Sequence, residues 1–282
     1  MDEKTRYAEE WNDSASFFYQ TKVYDWMIEQ IGDKKCVLEV GCGTGYSTLA
    51  LLQAGYNVVA VDNNSKCLKK ASELILGSAL LDRVIFELGD ITDKKFQLHL
   101  LEKYEFEVVL CWNVGTYFTK KKIKQYLPLW YDYGLTKTQI EKNYESSYVE
   151  LILFTVCKFA FSKKCPVHIV ERIAEDGTHE YYDLLAKEIG YENVIYEITD
   201  AESVSRGGRT LVFQGVEEKR ARVKLKLLSI LFSKKGECGD ENAAVHDINI
   251  DASNDEVISD KQLSASIETK ETEDIKKDDA SC

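Results

Sequence analysis

The sequence predicts an α/β fold: a largely parallel sheet with helices on both faces, closed at one edge by an antiparallel pair. Three observations carry this. Strand-like and helix-like segments alternate between residues 35 and 216, the pattern of parallel strands joined by crossover helices. The last two strand-like runs follow one another with no helix between them. Only two prolines occur in 282 residues, too few for a turn-dense all-β architecture.

The elements follow in order. Residues 1–34 read as an N-terminal helical cap, with Tyr24, Met27, Ile28 and Ile31 on one face and Gly32 as its stop. Cys36–Val40 (CVLEV) is a buried strand running into a glycine-rich turn, and a helix from about Tyr46 to Ala54 ends at Gly55. Asn57–Val61 is the second strand, and the helix after it, about Ser65 to Leu76, places Leu68, Ala71 and Ile75 together. Arg83–Leu88, a short helix around Phe96–Tyr104, and Phe106–Trp112 come next. Residues 119–164 form a helical insertion with room for two helices, the second opening at the capping box Thr136-x-x-Gln139. Pro166–Ile173, a helix from Thr178 to Ile189, and the strands Asn193–Thr199 and Arg209–Val216 complete the body.

Charge divides the chain into pieces. The formal net charge is −12, and residues 236–282 supply −10 of it with no aromatic residue. Such a stretch cannot offset its ordering entropy by burial, so it reads as a disordered acidic tail. Residues 217–235 carry +5 and read as a basic amphipathic segment able to touch an acidic membrane surface or a partner, with an ordinary C-terminal helix as the plainer reading. The remainder, 1–216, stands at −7, which disfavours a nucleic-acid partner. No apolar run reaches the length of a membrane span. Eight cysteines without a C-x-x-C pair and four scattered histidines point to no metal site, and to reduced thiols in a cytoplasmic setting.

The chemistry-bearing signal is Val37-Leu38-Glu39-Val40-Gly41-Cys42-Gly43-Thr44-Gly45. A glycine loop between the first strand and first helix lets backbone approach a ligand at the carboxyl edge of the sheet. Asp62, with Asn63 beside it, ends the second strand, 17 residues beyond Gly45, where it can accept both hydroxyls of a ribose. Asp90 and Ile91 end the third, where a carboxylate can take an adenine amino hydrogen while Ile91 packs on the ring. A nicotinamide-dinucleotide fingerprint would need G-x-G-x-x-G, but the sixth position from Gly41 is Tyr46.

With these residues in register, the sequence resembles the class I S-adenosylmethionine-dependent methyltransferases over roughly residues 35–216. The resemblance implies a Rossmann-like seven-stranded sheet of order 3-2-1-4-5-7-6 and S-adenosyl-L-methionine as cofactor. It also implies that Gly41, Gly43 and Gly45 border the methionine moiety, with Glu39 and Cys42 beside them. By it, Asp62 holds the ribose and Asp90 with Ile91 frames the adenine. By analogy with the family, Tyr7, Trp11 and Tyr19 close over the cofactor.

The family's catalytic motif follows strand four, and here reads Leu110-Cys111-Trp112-Asn113-Val114-Gly115-Thr116-Tyr117. It lacks the N/D-P-P-Y/F of enzymes acting on exocyclic amines of nucleic-acid bases. Asn113 is placed to bond the methionine end or orient the acceptor, and Trp112 and Tyr117 to wall the sulfonium. A hydroxyl acceptor would need a base, for which Glu171 is the first candidate and His168 the second; a packed structural histidine is the plainer reading of His168. Tyr131, Glu145 and Tyr148 in the insertion are candidate substrate contacts. The expected activity is methyl transfer to an N or O atom of a small molecule or peptide. The competing reading is a non-catalytic cofactor-binding protein acting through its C-terminal segment.

Overall fold

In the computed structural model, residues 3–113, 122–173, 179–206 and 219–234 are described, all within one compact unit, Met1–Gly239. The sheet strands are β1 (Cys36–Val40), β2 (Asn57–Asp62), β3 (Val84–Leu88), β4 (Val108–Trp112), β5 (Val167–Ile173), β6 (Asn193–Arg206) and β7 (Lys219–Ser233). They are ordered β3-β2-β1-β4-β5-β7-β6. β3 through β5 pair in parallel, while β7 pairs antiparallel with both β5 and β6. The expected fold, including its closing antiparallel pair, is what forms.

Helices cover both faces. α1 (Glu3–Gln20), α2 (Val23–Glu29), α3 (Tyr46–Gln53) and α4 (Ser65–Ile75) precede α5 (Lys94–Lys103); α6 (Ile123–Tyr133), α7 (Lys137–Lys142), α8 (Tyr144–Lys163) and α9 (His179–Ile189) follow. The strands sort their side chains by period two. Val37, Val108, Leu110, Trp112 and Val170 pack with α1–α4 on one face, and Leu38, Val40, Val109, Cys111, Val167 and Ile169 pack with α6–α9 on the other. The insertion holds three helices among the described residues rather than two, and the capping box at Thr136 and Gln139 forms in full at α7.

One boundary is corrected. The strand expected at Arg209–Val216 lies outside the described residues, and β7, the strand between β5 and β6, is the basic segment expected to be an amphipathic helix or membrane contact. Its two halves do different work. Leu227, Leu228, Ile230 and Phe232 are wholly buried between β5 and β6, so the apolar run LLSILF is a central strand. The basic residues Arg222 and Lys224 stand on the part of β7 that pairs with β6 alone, a two-stranded arm running beyond the sheet. That arm supports α1: Ser14 and Ser203 share a buried hydrogen bond of 2.8 Å, and Arg222 sits 5.5 Å from the Phe17 ring. The folded body therefore runs past residue 216 to Ser233. The acidic tail, 236–282, lies outside the described residues.

Among the described residues no helix is long and apolar enough to cross a membrane.

Candidate functional site

A cleft open to solvent at its mouth runs along the carboxyl edge of the parallel strands, the usual place for a ligand in an open α/β sheet. The strand order lays out its contents. Asp90 and Ile91 follow β3, Asp62 and Asn63 end β2, Gly41–Thr44 follow β1, Trp112 and Asn113 end β4, and Arg172 lies on β5. Four strand spacings separate the β3 and β5 ends, roughly 19 Å at about 4.8 Å each. α1 forms one wall with Tyr7, Trp11, Ser14, Ala15 and Phe18, and α8 contributes Tyr148 and Ile152.

The glycine loop is tied down by backbone. The N–H groups of Gly41 and Cys42 both donate to the Val61 carbonyl, at 2.8 and 3.0 Å. The Gly43 N–H donates to Asp62 Oδ2 at 2.9 Å and the Asn64 N–H to Oδ1 at 2.7 Å. Asp62 thus joins the β1 and β2 loops, and each of its oxygens keeps acceptor capacity on the cleft side. Burial raises its pKa from 3.8 to about 6 despite those two donors.

At the β3 end the Asp90 carboxylate accepts from the Thr92 N–H at 3.0 Å, the Thr92 hydroxyl at 2.7 Å and the Tyr126 hydroxyl. Tyr126 meets Tyr148 edge-on, with centroids 5.3 Å apart, and the Asn63 amide donates to the Tyr148 hydroxyl at 2.9 Å. The insertion therefore roofs the Asp62–Asp90 half of the cleft.

The β4–β5 half looks different. Asn113 takes a left-handed backbone at φ 48°, held by its own N–H donating to the Val170 carbonyl at 2.8 Å. Its side-chain oxygen and nitrogen are both buried without a hydrogen-bond partner, as are Thr44 Oγ1 and Arg172 Nε. Buried polar atoms left unpaired cost about 1–3 kcal/mol each, so a cleft that gathers them is built to receive polar ligand atoms.

Several expected site residues stand elsewhere. Glu39 does not line the cleft; it is 2% exposed, and its two oxygens accept from the Ser47 and Thr48 hydroxyls on the first turn of α3. It fixes the helix that follows the loop. Gly45 also lies behind the cleft, where α4 passes so closely that a Cβ would fall 2.7 Å from Ala71. Tyr19 is not among the cleft residues; its hydroxyl donates to Gln53 Oε1 at 2.9 Å. Glu171 is not positioned as a base: period two turns it to the opposite face of β5, where the Tyr182 hydroxyl donates to it. Its neighbour Arg172 takes the cleft side instead.

His168 is no base either. The Trp112 indole can only donate, and it does so to His168 Nδ1 at 2.9 Å; Nε2 therefore carries the proton toward the Ser229 hydroxyl at 2.7 Å. Burial lowers this imidazole to about 3, so it is a neutral core residue that aims Trp112. Tyr131, 48% exposed, and Glu145, on the first turn of α8, are not among the cleft residues, whereas Tyr148 is. Tyr117 lies outside the described residues. Among the cleft residues that sequence reasoning missed are Ser14, Ala15 and Phe18 on α1, Thr44 in the loop, Ile152 on α8, and Arg172. The helical spacing 7, 11, 14, 18 was the signal available for α1.

Glu39 yields a test of this arrangement. Burial raises its pKa from 4.5 to about 7, so the folded chain holds the proton that the unfolded chain gives up. Its stabilising share is full below about pH 4.5 and is lost as pH rises through 7. Glu39→Gln, a fixed neutral analogue, is expected to gain about 2 kcal/mol on the wild type between pH 5 and pH 8. Urea unfolding at the two pH values checks this; an equal offset at both would contradict it.

Residues 37–133 match the family model described as a methyltransferase domain. No curated protein matches the sequence. Among solved structures, the chain is similar to a METTL16 methyltransferase domain at 13% identity, covering 76% of this chain and 80% of that one, with a TM-score of 0.46. It is similar to TehB from Haemophilus influenzae at 16% identity, covering 75% and 62%, with a TM-score of 0.43. A third similarity is to the precorrin 8W decarboxylase from Methanobacterium thermoautotrophicum, at 14% identity over 75% and 89%, with a TM-score of 0.42.

Proposed function

We propose that this chain, whose residues 37–133 match a methyltransferase domain model, is a class I methyltransferase that binds S-adenosyl-L-methionine in the cleft and transfers its methyl group to an N or O atom of a small-molecule or peptide acceptor. The observation that carries the reading is the pairing of Asp62, anchored yet open toward the cleft, with the orphaned polar atoms of Thr44 after the neighbouring strand β1 and of Asn113 two strands away at the end of β4. A nucleoside suits the first: Asp62 would accept both ribose hydroxyls, with Ile91 and Tyr148 against the base. Asn113 and Thr44 offer donors and acceptors to an amino-acid moiety beyond it.

When bound, the cofactor supplies a methyl group on a sulfonium, a carbon already activated for in-line displacement. The chain's work is then alignment and exclusion of water, effects worth about 7–11 kcal/mol in principle. Trp112, fixed by His168, and the α1 stripe of Tyr7, Trp11 and Phe18 enclose the β4–β5 end in aromatic surface. Both carboxylates among the described cleft residues, Asp62 and Asp90, belong to the β2–β3 end. That supports an acceptor whose nucleophilic atom carries its own lone pair at working pH, such as a neutral amine, over a hydroxyl that needs deprotonation.

The non-catalytic reading rested on a free C-terminal basic segment, and β7 is built into the sheet. Incubation with methyl-labelled cofactor and fractionated small-molecule and peptide pools tests the proposal. Label in an acceptor, matched by S-adenosylhomocysteine, is the expected outcome. Tight cofactor binding without any labelled product across both pools would reject it.

A further inference from the structure

Arg172 stands at the β5 end of the cleft, the end farthest from Asp90, and its setting is unusual for a cation. The guanidinium is enclosed by α1: it lies 5.2 Å from the Trp11 ring and 5.3 Å from the Phe18 ring. One Nη donates to the Ser14 hydroxyl at 2.9 Å, while Nε is buried with no partner. Among the described residues no carboxylate forms an ion pair with it. Burial lowers its pKa only to about 10, so it remains charged at neutral pH.

Removing a cation from water costs several kcal/mol even after relaxation. Two ring contacts return about 0.5–2 kcal/mol each, and one hydroxyl returns about as much as a hydrogen bond to a charged group, roughly 1.5–3 kcal/mol. Among the described residues the site holds no anion, and the idle Nε with a neighbouring Nη is the face that a guanidinium offers to an oxyanion. The surrounding aromatic walls raise the strength of such a pair by excluding water.

We propose that Arg172 is a specificity-determining residue for the acceptor, which carries an oxyanion, a carboxylate or a phosphate, bound at the β5 end of the cleft between Arg172 and the α1 rings. This rests on the methyltransferase reading for the identity of the ligand as an acceptor, but not for the existence of the anion site. Ser14 is a positioning residue: held by Ser203 on the β6–β7 arm, it fixes one Nη of the guanidinium and leaves Nε without a partner.

The test titrates benzoate and inorganic phosphate, separately, into the full chain loaded with S-adenosylhomocysteine, read by intrinsic tryptophan fluorescence, to which Trp11 and Trp112 in the cleft contribute. At least one anion is expected to saturate the wild type. Arg172→Met should weaken it tenfold or more, and Arg172→Lys, which keeps the charge but loses Nε, should fall between. S-adenosylhomocysteine affinity should fall less than the anion affinity in both variants. The stronger of the two anions identifies the class. Failure of both anions to saturate the wild type, equal anion affinity in the wild type and Arg172→Met, or a larger loss for S-adenosylhomocysteine than for the anion would overturn the proposal. The last result would assign the guanidinium to the cofactor's own carboxylate. Titration of the unloaded chain separates the two levels: Arg172-dependent anion binding without any S-adenosylhomocysteine binding would leave the anion site standing and remove the cofactor reading.

Discussion

Gly45→Ala is expected to lower the unfolding midpoint by on the order of 10 °C. Two penalties add at this position. The backbone stands at φ 87°, where an L side chain pays about 1–2 kcal/mol. The new Cβ would also fall 2.7 Å from both Cα and Cβ of Ala71 on α4, and Cα belongs to a helix backbone that cannot swing aside. Overpacking of this kind costs about 1–3 kcal/mol, for a total near 2–5 kcal/mol, and each kcal/mol shifts the midpoint of a domain this size by about 2–4 °C. Gly55→Ala is the internal reference. It has a similar backbone, φ 104°, with nothing within 4 Å of the added Cβ, so it should lose only the conformational part. Equal midpoints for the two variants would show that the approach of α4 to the glycine loop is not what Gly45 permits.

Asp62→Ala is expected to weaken S-adenosylhomocysteine binding a hundredfold or more. Two charge-assisted bonds to a ribose diol, at about 1.5–3 kcal/mol each, correspond to roughly 10²–10⁴ in affinity. The substitution also strips the acceptor from the Gly43 and Asn64 N–H groups, loosening the loop that shapes the cleft floor. Asp93→Ala separates the site effect from a general one. Asp93 caps α5 by accepting from the Lys95 N–H at 2.8 Å and does not line the cleft, so its loss should cost helix stability and leave affinity within about twofold. Calorimetric titration of both variants decides the matter, and comparable losses would refute a ribose role for Asp62.

The sheet and the β1–β3 half of the cleft were legible in the sequence because short-range rules govern them. Buried parallel strands read as apolar runs, and Asp62 and Asp90 fall at strand ends set by those runs. The β7 error has a physical origin. Lys219–Ser233 joins a charged arm to a buried strand, and averaging the two suggests an amphipathic helix, whereas only pairing with β5 and β6 distinguishes them. Glu171 and Arg172 exchanged roles for a related reason. Adjacent residues on a strand face opposite sides, so one step of register, fixed by the β4–β5 pairing of Trp112 with Val170, decides which enters the cleft. Glu39 and Gly45 sit in the motif as expected, yet they act from behind it, one on α3 hydroxyls and the other by admitting α4. Motif membership alone does not separate a residue that touches a ligand from one that builds the loop. The α1 wall depends on a long-range contact, Ser14 with Ser203, that no local pattern announces.

The central claim is that the cleft is an S-adenosylmethionine site, and the most direct measurement is a calorimetric titration of the full wild-type chain with S-adenosylhomocysteine, run beside one with NAD. The account predicts one saturable site per chain for S-adenosylhomocysteine and none for NAD, whose fingerprint fails at Tyr46. A folded chain that S-adenosylhomocysteine does not saturate, or that binds NAD equally well, would contradict it.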